Sequence, residues 1–148
     1  MNSTAPKRTN YHKPTTVCLL LLALTGCATL SGTPKSLTER AADRWDAILT
    51  GDHERAYSYL SPTYRSVVSQ EEYSKILSNR TVKWTAARVA PFDECPQTAE
   101  ACDVPVQIDY EVRRGLPGVK TPVGLSHNAT EDWINVDGAW YFVPDRIR

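Results

Sequence analysis

The chain has 148 residues, with 17 Lys plus Arg against 17 Asp plus Glu, and the resulting formal neutrality leaves no basic field that would attract nucleic acid. Its length suits one domain with a modest core, whose large buried surfaces are supplied by four tryptophans and seven tyrosines.

In chain order, Lys7, Arg8 and Lys13 precede an apolar run at residues 17–24. Positive charge followed by a short greasy stretch is the order of a secretory signal, and the run is too short for a permanent transmembrane helix. The segment Leu24-Thr25-Gly26-Cys27 resembles the lipobox of bacterial lipoproteins. That resemblance implies that Cys27 takes a diacylglycerol through a thioether and becomes the first residue of the mature chain, with the small Thr25 and Gly26 fitting a peptidase groove. Two or more acyl chains, at about 0.8 kcal/mol per buried methylene, hold a domain at a membrane surface. Ala28 follows the anchor where an aspartate would signal retention, so the resemblance further implies delivery to the outer membrane, facing the periplasm, in a Gram-negative envelope.

The expected organisation is therefore a leader at 1–26, a lipidated tether at 27–35 and a domain at 36–148. No acidic residue lies in the leader, so its removal leaves a mature chain acidic by about three charges. Cys18 leaves with the leader and Cys27 is the anchor, which leaves Cys95 and Cys102 in an oxidising compartment, where they are expected to pair across the neck of a loop. No CxxC is present, and His53 and His127 stand in different contexts, so neither a metal nor a cofactor is expected.

Ser36 followed by Glu39 forms a capping box that opens a first helix, with Leu37, Ala41, Trp45, Ile48 and Leu49 on its apolar side and Gly51 at its end. Asp52 caps a second helix carrying Ala56, Tyr57 and Leu60. Ser61-Pro62 starts a short helical turn with Tyr64, Val67 and Val68 on its apolar side. Ser69 and Glu72 open a third helix with Tyr73, Ile76 and Leu77 inward, ending near Ser78-Asn79.

After Arg80 the hydrophobic period shifts from helical to alternating. Strands are expected over 82–89, over the alternating run from Val104 to Val112, over 123–136 with a bend near Gly124, and over 139–143. Residues 114–118 turn the chain between the second and third strands, and Asp137-Gly138 joins the last two as a hairpin that sets Asn135 opposite Trp140 and Trp133 opposite Phe142. The fold class is α+β, with N-terminal helices packed on a curved antiparallel sheet.

This order, with Arg44-Trp45, Gly51-Asp52, Ala56-Tyr57, Leu60-Ser61-Pro62, Tyr64-Arg65 and the hairpin from Trp133 to Phe142, resembles the nuclear transport factor 2-like cone fold. The resemblance implies a sheet wrapped around the first helix and a funnel that serves as an active site in some members and as a core or docking surface in others. Its enzymes, ketosteroid isomerases and SnoaL-type polyketide cyclases, place a carboxylate or histidine in the cone, and no residue-by-residue match to that pattern exists in this chain.

Trp45, Tyr57, Tyr64, Trp84, Tyr110, Trp133, Trp140 and Phe142 are candidate lining for a small apolar ligand, and equally what a core of this size requires. Asp109, Glu111, Asp43 and Asp46 are expected to face water, and Arg44, beside the Trp45 stripe, either reaches into the funnel or, as is commoner, keeps its guanidinium in water with its stem on an aromatic. His127 is the one strand histidine and a weak general-base candidate. Apolar residues on both faces of the last two strands suggest a homodimer through the sheet, with an envelope protein as the rival partner. The reading is a membrane-anchored, non-catalytic binding or assembly module; the alternative is a small isomerase or cyclase working in the cone. An enzyme would show an isolated buried acid or histidine facing a pocket, a binding module a pocket without one, and an assembly protein a filled cone beneath an exposed apolar sheet.

Overall fold

The structure, a computed structural model, describes Met1 and residues 35–112 and 121–144. The expectations for the leader, for Cys27 and for the turn at 114–118 fall outside these residues. Four helices come first: α1 (Leu37–Thr50), α2 (His53–Ser58), α3 (Pro62–Val67) and α4 (Gln70–Ser78). Each begins where a short polar side chain accepts a backbone N–H that the helix cannot satisfy itself: Ser36, Asp52, Ser61 and Ser69 in turn. At Ser36 the capping box is complete, because Glu39 accepts the N-cap N–H at 2.8 Å. A carboxylate from far along the chain, Glu94, takes the Thr38 N–H at 2.8 Å and adds negative charge at the helix N-terminus. Gly51, at φ +78°, ends α1 in the left-handed conformation that suits glycine.

Four strands follow, β1 (Val82–Val89), β2 (Ala101–Val112), β3 (Val123–Val136) and β4 (Ala139–Val143), in one antiparallel sheet of order β1-β2-β3-β4. The sheet curls into a half-barrel against the helices, the α+β arrangement expected from the sequence. The last hairpin has the expected register, with Trp133 opposite Phe142 and Asn135 opposite Trp140. Its turn carries Asp137 at φ 53° and Gly138 at φ 80°, the pair of positive angles that a two-residue hairpin requires.

No bulge accompanies Gly124. Pairing of β2 with β3 runs without interruption from Ala101 opposite Ile134 to Val112 opposite Val123. The irregularity lies in β1, where Trp84 opposes Tyr110 and Ala86 opposes Asp109, so that Thr85 is an extra residue. A bulge bends its strand and sharpens the twist, and this one turns Trp84 toward α1, where it meets Trp45 edge-on with ring centroids 4.9 Å apart. The hydrophobic phase of β1 slips at Ala86-Ala87, which is the trace of the bulge in the sequence.

The core sits between α1 and the concave face of the sheet, where Leu37, Ala41, Val104, Trp133 and Trp140 are fully buried. Two expected inward residues point elsewhere. Leu49 is exposed, because Ala47 rather than Leu49 turns inward from α1. Val67 is 76% exposed at the end of α3, a helix of six residues too short to press both ends on the core. The outer edge of β4 is closed by the segment after α2: Ser61 N donates to Phe142 O, and Phe142 N to Tyr59 O, both at 2.8 Å. A disulfide joins Cys95 to Cys102 with 6.0 Å between the Cα atoms, pinning the loop ahead of β2 to the buried start of that strand.

The convex face of β1, β2 and β3 is polar. Arg88 donates to Gln107 at 2.9 Å and to Asp109 at 2.8 Å, and Ser126 donates to the other oxygen of Asp109 at 2.6 Å. The larger apolar residues on this face gather at the β3–β4 end, where Ile134, Val136, Tyr141 and Val143 are half-buried.

Candidate functional site

Side-chain direction along β3 is set by the hairpin: Trp133 faces the helices, so Glu131, two residues earlier, faces them too. It is 5% exposed and is the only buried carboxylate among the described residues. From α1, Arg44 donates to Glu131 Oε1 at 2.7 Å and the Trp45 indole N–H donates to the same oxygen at 2.9 Å. The Trp133 indole N–H reaches Oε2 at 3.1 Å. Charge and lone pairs of the carboxylate are thus compensated by one guanidinium and two indoles, as a buried ion pair requires. The Arg44 guanidinium also lies 3.6 Å from the centroid of the Phe142 ring. Of the two expected placements Arg44 takes the inward one rather than the commoner exposed one, because an inward carboxylate on β3 gives it a partner.

Beside this cluster the cone is open. A cavity of about 380 Å³ lies among α1, α4 and the concave sheet, walled by Trp45, Tyr64, Trp84, Ile108 and Phe142, with Arg44 and Glu131 in its wall. From α4 and the link to β1 come Tyr73, Ile76 and Arg80. Arg80 is exposed, but its guanidinium lies 3.6 Å from the centroid of the Trp84 ring, and the partial desolvation of that head lowers its pKa from the ordinary arginine value, with the nearby Arg44 charge adding to the fall. Arg80 has no ion-pair partner among the described residues. The Tyr73 hydroxyl and Arg44 Nε are buried without a hydrogen-bond partner among the described groups.

Of the eight candidate aromatics, Trp45, Tyr64, Trp84 and Phe142 line this cavity. Tyr110 lies nearer the open end of the sheet, where with Trp84 and Ile108 it lines a groove of about 230 Å³. His127, on the same groove, is exposed. Trp133 and Trp140 are fully buried in the core, and Tyr57 packs on Tyr73 while its hydroxyl donates to Val68 O at 2.7 Å. A further cleft of about 400 Å³ lies across Arg80 and Trp84 from the main cavity, lined also by His53 and Lys83.

A carboxylate held by three donors is not a free base, and no second buried acid accompanies Glu131 among the described residues. Nor do the described residues contain a group of three or more His, Cys, Asp or Glu side chains that could hold a metal. What the cavity offers is aromatic surface, a stacked cation and orphaned donors. Sequence reasoning passed over Glu131, Tyr73 and Arg80 as site residues. For Glu131 the signal was present, since the hairpin register that turns Trp133 inward turns Glu131 inward as well.

No known family profile matches the chain, and no curated protein does. Among solved structures it is similar to a SEC-C motif containing protein from Rhodopseudomonas palustris, at 17% identity and a TM-score of 0.50, over 74% of this chain and 76% of that one. At that identity the shared property is the fold. A candidate dehydratase from the nuclear transport factor 2-like family of Streptomyces avermitilis aligns at 15% identity and a TM-score of 0.42, over 72% of this chain and 92% of that one, a level from which nothing is carried over.

Proposed function

We propose that the protein is an exported lipoprotein, anchored through Cys27 in the outer membrane of a Gram-negative envelope, whose cone of nuclear transport factor 2-like type is a non-catalytic binding module. The observation that carries the binding role is the hollow cone. A cavity of about 380 Å³ lies at the lower end of the range for ligand pockets and is walled by aromatics, while its one buried carboxylate is already engaged by Arg44 and two indoles. An enzyme of the isomerase or cyclase kind needs an acid or base free to exchange a proton with substrate, and the saturation of Glu131 argues against that role. A pure assembly role through the sheet is disfavoured by the polar convex face around Arg88, Gln107 and Asp109.

Support for the anchor is the charged and apolar leader followed by Leu24-Thr25-Gly26-Cys27. No helix among the described residues is long and apolar enough to cross a membrane, so attachment of this domain would rest on the lipid. Native mass spectrometry of protein purified from membranes tests both parts. A diacylglycerol-modified N-terminal cysteine and a retained small molecule are expected. An unmodified Cys27 would refute the anchor, and a chain that neither retains nor takes up any small molecule would refute the binding role.

A further inference from the structure

We propose that the cone cavity takes a small organic anion, a carboxylate on a flat apolar body, with the carboxylate seated between Arg80 and the Tyr73 hydroxyl; this deepens the binding role proposed above and rests on it.

Charge in the cavity is unbalanced. Arg44 and Arg80 both line it, and Glu131 neutralises Arg44 at 2.7 Å. Arg80 is left with no carboxylate partner among the described residues, and the remaining acidic side chain at the cavity, Asp132, is exposed at the rim. Arg80 is exposed at the mouth of the cavity, and a bound carboxylate would give it the anionic partner that Glu131 gives Arg44. An arginine stays charged at neutral pH, so Arg80 presents a full positive charge to the cavity.

Geometry suits the same ligand. With Arg80 held over the Trp84 ring at 3.6 Å, the N–H donors at the rim of the guanidinium remain available to a carboxylate. Tyr73 is 4% exposed, lines the cavity and has a hydroxyl with no partner among the described groups. A carboxylate oxygen would satisfy that donor. Trp45, Phe142 and Ile108 then offer an apolar wall for the body of the ligand, and about 380 Å³ keeps that body small.

The test compares 1-naphthoate with its uncharged analogue 1-naphthamide, by equilibrium dialysis against the purified whole protein in nanodiscs, with empty nanodiscs as the blank. One charge-assisted contact, at about 1.5 kcal/mol or more, corresponds to roughly tenfold tighter binding of the acid. Arg80→Gln should remove that preference by weakening the acid far more than the amide. Tyr73→Phe, which deletes one oxygen from an otherwise retained ring, should weaken the acid several-fold and keeps the test decisive if the arginine variant does not fold. Equal binding of acid and amide would overturn the anion assignment while leaving an apolar binding pocket intact. A preference that survives both substitutions would overturn the seat at Arg80 and Tyr73. Binding of neither probe would count against the hollow-cone reading itself and take this inference with it.

Discussion

Truncation of Glu131 to alanine should be among the most damaging single changes in the domain. The substitution leaves Arg44, 6% exposed, as a buried cation without its partner and deprives the indole N–H groups of Trp45 and Trp133 of their acceptor. Removing one member of a buried ion pair costs about 3–5 kcal/mol, because the remaining charge cannot regain water. Each orphaned donor carries a further penalty of about 1 kcal/mol or more, though the three losses share one cavity and do not simply add. Against a total stability of roughly 5–15 kcal/mol for a domain of this size, a large part of the folding free energy is at stake. The expected outcome is a fall in Tm of roughly 12–25 °C.

The informative assay is a double-mutant cycle followed by urea unfolding and by tryptophan fluorescence. Arg44→Met should also destabilise, since it removes a charge-assisted bond and leaves Glu131 with only the indoles. Arg44→Met with Glu131→Leu should recover a substantial part of the loss, because no unpaired charge then remains, but not all of it, because the two indoles still lack an acceptor. A cost below about 1 kcal/mol for Glu131→Ala would mean that the cluster is not closed to water, and the saturated-carboxylate argument against catalysis would fall with it.

Reduction of the Cys95–Cys102 bond, whose sequence separation is 7, should lower stability by about 2 kcal/mol in denaturant titrations; a change below about 0.5 kcal/mol would refute the constraint on the loop ahead of β2. Gly51→Ala forces a side chain onto φ +78° at the end of α1 and should cost about 1 kcal/mol, although open space surrounds the site; an unchanged midpoint in urea would mean that the cap relaxes. Melting across pH should show loss at both ends. The Lys35 hydrogen bond holds the Asp43 carboxyl below the ordinary 3.8, so its contribution is present above that value and is lost as pH falls through the lower folded value. Burial raises the phenols of Tyr59 and Tyr64 above 10.0, so their contribution is intact below that value and is lost as pH rises through the raised folded values. Asp43→Asn should flatten the acid limb, and an unaltered acid limb would show that this pair does not matter to folding.

Local rules made much of the fold legible. Capping residues named the helix starts, alternation named β2, and Asp137-Gly138 fixed a register that then placed Trp133, Trp140 and Phe142 on one face. What local rules missed depends on partners far apart in sequence. Arg44 reads as an exposed helix residue until β3 brings Glu131 to it across 87 positions. Arg80 reads as a residue between elements until the bulge at Thr85 reorients Trp84 and the guanidinium stacks upon that ring. Tyr73 was legible as inward from its helical spacing, but not as an unsatisfied donor, because that depends on what lies opposite its hydroxyl.

The same long-range contacts explain why a domain this small keeps a cavity at all. A cleft walled largely by aromatic side chains invites collapse, since its walls gain dispersion contacts by closing. Here one wall contains an ion pair whose geometry is pinned from three directions: Arg44 and Trp45 on α1, and Trp133 on β3. Sliding α1 toward the sheet would break these bonds at a cost comparable to the packing it gains. On the other side, the edge-on contact of Trp84 with Trp45 joins β1 to α1, and Arg80 covers the Trp84 ring. On this account the polar cluster is a spacer, and the cavity beside it is what the spacer maintains. Replacing Arg44 and Glu131 together by apolar residues should therefore let the cone close. The double variant would lose uptake of 1-naphthamide while retaining a cooperative unfolding transition, and undiminished uptake in that variant would refute the spacer role.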